Sequence, residues 1–577
     1  MSKALQILTF TLLSALLMPE MTHAQSVSLD GMGDNLKKEN LVKTSGGFSA
    51  NTVYDAGSGS SQRQPFTWFV NGNVNTRLFN LIDLPFSFFL TNTGQGLNYP
   101  TPPNRLSFHP SYKWVTAHVG DIAMTFSPYT LNGHQFSGAG VDLTPPGKLK
   151  ISAMYGRLAK ASQFDAFNTS VPAAYRRIGY GAKIGYTTDN WRLGYIAFAA
   201  KDDANSIAFV PDSVGISPMK NLVMSWDGSV KITKGLELAG EYATTAITSD
   251  SRDPLPGVKE GAGVLRSFIN ESNSTSYHKA LKASLNYAFS RTIIGLGFEH
   301  VDPGYRTLGA YYFNEDLENY TVNVSQSMLK DKLNLSANFG FQRDDLDGNK
   351  TGSNKRVIGS VSASLMATAR LNLNASYSNF RTYMHIKSQF ESINQLGPFV
   401  NPDTLRFSQI SQNAMVNAYF QLSNSETNTQ GMNASVTYFD ALDKQGEIAN
   451  DANTSRFYNS SFTYSVQFAK TGLSLNGGLN GSYNTIGTNA YTTVGPIASL
   501  NIPLFQKKVM TSLATSYNIS SGTGVQKSDV FNTRLSLAYA FLKAHNLNMG
   551  IMNQLRSGAT QGSGHDLIVT LSYSYRF

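Results

Sequence analysis

The chain contains no cysteine, which removes disulfides and thiolate metal sites from consideration. Charge is also scarce: Asp, Glu, Lys and Arg make up 15% of residues, against roughly 25% in ordinary soluble proteins. Beyond the first twenty or so residues no apolar run approaches the ~18 residues that a spanning helix needs. There is no Gly-X-Y period and no sustained heptad, which excludes collagen and coiled coil. No basic run of five or more supports nucleic-acid binding. The length of 577 residues, divided by a domain-sized ~150, would give three or four soluble domains, but so few charges cannot solvate that many globular surfaces. Gly, Ser, Thr, Asn and Tyr are what the chain has in abundance.

Residues 1–24 carry the pattern of a cleaved signal peptide. Lys3 supplies the positive end, Leu5 to Met18 form an apolar core, Pro19 breaks it, and Thr22-His23-Ala24 offers small residues at the cut. The core is too short to span a bilayer. A short polar segment over residues 25–45 is expected next, able to dock a partner protein, and then a single unit over residues 46–577.

That unit reads with period two in runs long enough for a tilted strand to cross a bilayer. Leu567, Val569, Leu571, Tyr573, Tyr575 and Phe577 share one face of the last run, and Thr570, Ser572, Ser574 and Arg576 share the other. Leu333, Leu335, Ala337, Phe339 and Phe341 alternate in the same way with Asn334, Ser336, Asn338 and Gln342. A soluble sandwich also alternates, so the links between runs decide. One set is short, as in Thr187-Thr188-Asp189-Asn190, Ser290-Arg291 and Lys330-Asp331-Lys332. The other is long and polar, as in Ala204 to Pro218, Ser249 to Thr275, Asp302 to Asn319 and His385 to Ser411. Short turns on one side and long loops on the other are the mark of an all-β, antiparallel up-and-down transmembrane β-barrel, here of about 22–26 strands. In the N-terminal part Pro102, Pro103 and Pro110 interrupt the pattern.

The chain resembles a Gram-negative outer-membrane β-barrel over nearly all of its mature length. The most specific element is the closing strand DLIVTLSYSYRF, with alternating aromatics and a C-terminal Phe. The resemblance implies that Tyr573, Tyr575 and Phe577 are read by the barrel-assembly machinery as an insertion signal. It also implies a place in the outer membrane, with lipid and lipopolysaccharide as surroundings. Plugged receptors of similar size carry a globular domain before the first strand, for which the span from Gln25 to about Ser45 is too short.

Alternation places Lys150, Arg177, Lys183, Arg192, Lys231, Lys282, Arg356 and Arg534 on the polar, lumen-lining face, with the acidic residues Asp227, Glu237, Glu241 and Glu299. On the lipid face such charge would cost ~2–4 kcal/mol at the midplane. A cationic wall with acidic partners favours anionic or polyhydroxylated solutes, unless the charges only solvate the interior and pair with each other. The Gly-rich segment Lys113 to Lys148 carries Phe126, Tyr129, Asn132, His134 and Gln135 around a hairpin tip, a candidate constriction if it folds inward.

Catalysis finds no support. No G-x-S-x-G, H-E-x-x-H or G-x-x-x-x-G-K-[ST] segment exists, and Ser563, His565 and Asp566 are too close in sequence to converge as a triad. No metal site and no cofactor are expected. Three functions stay open: a porin-like channel for polar or anionic solutes, a barrel subunit of a secretion or surface-assembly complex, and a structural or adhesive surface protein acting through its loops.

Overall fold

The computed structural model describes residues 42–57, 65–93, 104–166, 173–211, 214–254, 263–311, 314–349, 355–379, 382–384, 408–442, 454–487, 489–523, 525–542, 544–558 and 564–577. The expected signal peptide, Pro102 and Pro103 lie outside them. The described residues form one antiparallel sheet of 28 hydrogen-bonded runs. Two crossings are each broken into a pair of runs, Arg105–Phe108 with Ser111–Tyr112 and Leu371–Ser378 with Thr382–Met384. The result is a closed barrel of 26 strands. The first break falls at Pro110, which has no N–H to give to a ladder.

Closure joins the two ends of the chain. The strand Val42–Gly57 pairs on one side with Phe66–Leu78 and on the other with Gly564–Arg576. At the seam the Gly46 amide donates to the Phe577 carbonyl at 2.9 Å and the Phe577 amide donates back at 3.0 Å. The Phe48 ring meets Tyr573 and Tyr575 edge-on, each at 5.9 Å. No unpaired edge remains at this seam, which removes a template for aggregation.

Strand alternation sorts the side chains. The exposed large residues Tyr155, Tyr180, Ile184, Val357, Val436 and Leu479 all point outward. Aromatic pairs band this surface near the short turns, as in Tyr186–Trp191, Tyr287–Phe289 and Tyr575–Phe577. A second band, containing Tyr438, Tyr458 and Tyr483, lies towards the opposite rim. Ten strand residues at ~3.3 Å rise and ~40° tilt span about 25 Å, the height of the apolar band of a membrane barrel.

The short turns gather at the end that holds Phe577. Several use consecutive left-handed residues, such as Phe79 and Asn80, both with φ 53°, which match the twist of tight hairpins. At the other rim the alternation is less regular than the sequence suggests. Long loops are there, but only two residues separate Ser474–Ile486 from Asn489–Leu504, and two more separate Val509–Gly522 from Val525–Phe541.

Candidate functional site: the inner wall and its shelf

One sector of the inner wall is apolar on both faces. In the strand Trp191–Asp203 the outward residues Trp191 and Leu193 alternate with Ile196, Phe198 and Ala200, which are inward and fully buried. They join Ile122, Met124, Phe136, Met154, Leu158 and Val223 in a core on the lumen side of the sheet. Phe126 and Leu131 of a hairpin tip and Leu308 of a loop complete this core from inside the barrel. Alternation predicts a polar lumen-lining face; in this sector the face is apolar, and GYIAFAA is the local signal for it.

The tip lies between Val115–Thr125 and Asn132–Leu143 and folds inward, and the loop after Thr292–Val301 folds inward against it. The Tyr305 hydroxyl donates to the Tyr129 carbonyl at 2.9 Å and the Thr307 hydroxyl to the Thr130 carbonyl at 2.7 Å. The Asn132 amide donates to the Gly309 carbonyl at 2.9 Å. Glycine is required at 309, because a Cβ there would lie 2.7 Å from the Thr130 carbonyl oxygen and 2.8 Å from the Phe198 ring. The loop is tied to the wall as well: Thr245 donates to the Arg306 carbonyl at 2.8 Å, and Asn221 accepts from the Leu308 amide at 3.0 Å. Together tip and loop form a shelf on the inner wall.

Beneath the shelf a row of inward residues crosses neighbouring strands in register, Asp227, Glu241, Lys282, Glu299, Asn319 and Gln342, and the register continues to position 356 on the next strand. The side chain of Arg356 lies outside the described set. The Tyr129 hydroxyl donates to Glu299 at 2.6 Å, and the Asn319 amide donates to the other carboxylate oxygen at 3.2 Å. Ser127 of the tip and Ser225 of the wall both hydrogen-bond Glu241, the latter at 2.7 Å. Burial first, and then the Glu299 charge, push the Tyr129 phenol far above its ordinary pKa, and burial does the same to Tyr305. Both phenols therefore stay protonated and serve as donors.

The cations of this sector are compensated. Lys183 and Arg192 converge on Asp227 at 3.5 and 3.1 Å, and Arg177 grips Asp202 with two donors at 2.7 and 3.0 Å. The Lys183 ammonium also donates to the Phe126 carbonyl at 2.8 Å. Lys150 lies opposite Gly185, and Glu237 is flanked by Lys231 and Asn286. Lys231 reaches the Asp189 carbonyl in a short turn at 3.1 Å. Arg534 sits apart from all of these, between Ala514 and Met552 on its neighbouring strands.

Of the remaining tip residues, Phe126 and Tyr129 are buried in the shelf, and His134 stacks on Tyr311 of the loop at 4.1 Å. The Gln135 side chain accepts from Arg105 at 3.4 Å. His109, His118 and Asp142 form a hydrogen-bonded chain, at 2.8 and 2.9 Å, that sequence spacing did not suggest. Among the described residues no group of three or more His, Cys, Asp or Glu is placed to hold a metal. His565 and Asp566 are consecutive in a strand and so point to opposite faces; Ser563 lies outside the described residues.

Elsewhere on the wall one stretch is different in kind. One register row runs through Ser327, Asn334, Ser364, Asn374, Asn417, Ser435, Ser461, Asn480 and Gly495, all inward, with no charge at any position. Asn334, Ser364 and Asn374 are exposed to the lumen.

No protein-family model matches this chain, and no curated protein matches it. Among solved structures it is similar to OccAB3 of Acinetobacter baumannii, at 10% identity over 67% of this chain and 98% of that one, with a TM-score of 0.28. It is similar to the FrpB iron transporter of Neisseria meningitidis, at 11% identity over 94% and 84%, TM-score 0.37. It is also similar to the P pilus usher PapC translocation pore, at 11% identity over 92% and 99%, TM-score 0.34. By its own geometry, a closed sheet with an apolar, aromatic-banded exterior and an inner wall that is polar beyond the shelf's apolar patch, the chain is a β-barrel of the outer-membrane type.

Proposed function

We propose that this barrel is an outer-membrane channel through which polar solutes pass passively. The observation that carries the reading is the run of exposed, uncharged Ser and Asn side chains on the inner wall, which only a water-filled interior would solvate. Twenty-six strands at ~4.8 Å spacing and ~40° tilt would close, if round, into a ring on the order of 50 Å across. The shelf narrows that space from one side. Because Lys183, Arg192 and Arg177 face carboxylates, the wall they line favours polar over strictly anionic solutes. No catalytic role is assigned. Export through a cleaved signal, insertion by the assembly machinery through Tyr573, Tyr575 and Phe577, and contact with lipid and lipopolysaccharide belong to the same proposal.

Liposomes loaded with the purified full chain should swell in isotonic neutral sugars at rates that fall with solute size. Swelling no faster than protein-free liposomes would remove the channel reading. The width of the barrel favours a second reading, a subunit of a secretion or surface-assembly complex; affinity capture on the segment 25–45 would then recover periplasmic or outer-membrane proteins.

A further inference from the structure

The charge-free row offers a specific chemistry. A carboxamide presents both N–H donors and a carbonyl acceptor, and a hydroxyl does both with one atom. An uncharged polyhydroxylated chain presents the same pair of functions at every residue. Ions, by contrast, would find no counter-charge along the row.

The row does not satisfy itself at its end. Asn417 donates to Asn433 at 2.9 Å and the Ser435 and Ser461 hydroxyls meet at 2.6 Å. Asn480 is 2% exposed, and its Nδ2 has no hydrogen-bond partner. The hydroxyl of Ser482, the next inward position on the same strand, has none either. Beyond Gly495, the carboxamide of Asn518 is 2% exposed and neither of its polar atoms is bonded. The Asn518 carboxamide packs directly over Gly495, where a Cβ would collide with it. Two carboxamides with unpartnered polar atoms thus flank a glycine on the inner wall, in a row whose Asn334 and Asn374 are exposed. Leaving such groups buried and unbonded costs roughly 1–3 kcal/mol each, a cost that a solute supplying hydroxyl groups would relieve.

We propose that this wall is a binding track for an uncharged oligosaccharide, with the Asn480–Gly495–Asn518 notch as its tightest point. The track rests on the channel reading for its role in transport, but not for binding itself. Two measurements therefore separate them: equilibrium binding of maltohexaose to the detergent-solubilised full chain, and blockade of single-channel current in planar bilayers by maltohexaose, by an oligogalacturonate of equal length and by a polyethylene glycol of equal size.

Maltohexaose is expected to bind and to block, more strongly than either control. Asn374→Ala and Asn417→Ala, which lie on the accessible part of the row, should each weaken binding about fivefold, the worth of one hydrogen bond. Asn480→Leu should weaken it at least as much while the barrel still assembles. Binding without measurable current would support the track and overturn the channel. Current in which sugar and polyethylene glycol act alike, with no binding in detergent, would overturn the track and leave the channel standing. Stronger binding of the oligogalacturonate would also overturn it, in favour of an anion site.

Discussion

Tyr129 is the residue on which the shelf turns. Its hydroxyl reaches a carboxylate on the wall and its backbone carbonyl accepts from Tyr305, so one residue links tip, loop and sheet. Tyr129→Phe removes a hydrogen bond to a charged group, worth about 1.5–3 kcal/mol, and the amides of Asn132 and Leu308 should exchange faster with deuterium while strand amides keep their rates. Asp227 gives a second residue-scale expectation. Asp227→Asn leaves Lys183 and Arg192 without their shared carboxylate, so the reversal potential in a salt gradient should move towards anions; an unchanged potential would mean that these cations do not face the permeating ions. Outside the wall, hydrogen bonds from Arg252 hold the Asp250 carboxyl down to about 2. Its contribution to loop stability is complete above the ordinary carboxylate pKa of about 3.9 and is lost as pH falls through about 2. Deuterium exchange around Asp250 should therefore rise only between those values.

Strands carried most of what the sequence could say. Alternation placed Tyr573, Tyr575 and Phe577 on one face, and they lie outward at the closing seam. Deleting Phe577 removes the backbone pair with Gly46 and the last ring of the band, and the amount of heat-modifiable, assembled barrel in membranes should fall severalfold. Alternation along one strand does not name the partners of the wall charges. That Asp227 stands beside Glu241, and Glu241 beside Lys282, is a matter of register, and register is set between strands by turns and shear that no single strand reveals. The Ser/Asn row was hidden for the same reason, since its members are scattered between Ser327 and Gly495 and align only across strands.

At the scale of the whole molecule, the barrel was legible from its links and the tip of the shelf from its Gly-rich hairpin, but the loop that packs on the tip was not. The segment Asp302 to Asn319 has the polar composition of an external loop, yet Tyr305, Thr307 and Leu308 turn inward to cover an apolar patch on the wall. What gave the inward fold away was elsewhere, in the two-faced apolar run of Trp191–Asp203. A wide polar lumen narrowed from one side by a fixed shelf is tested most directly by planar-bilayer conductance. The full chain should give ohmic current steps, and deletion of Ser127 to Gly133 should raise their size while the barrel still assembles. Steps of equal size in the two proteins would contradict the shelf, and no steps from either would contradict the open lumen.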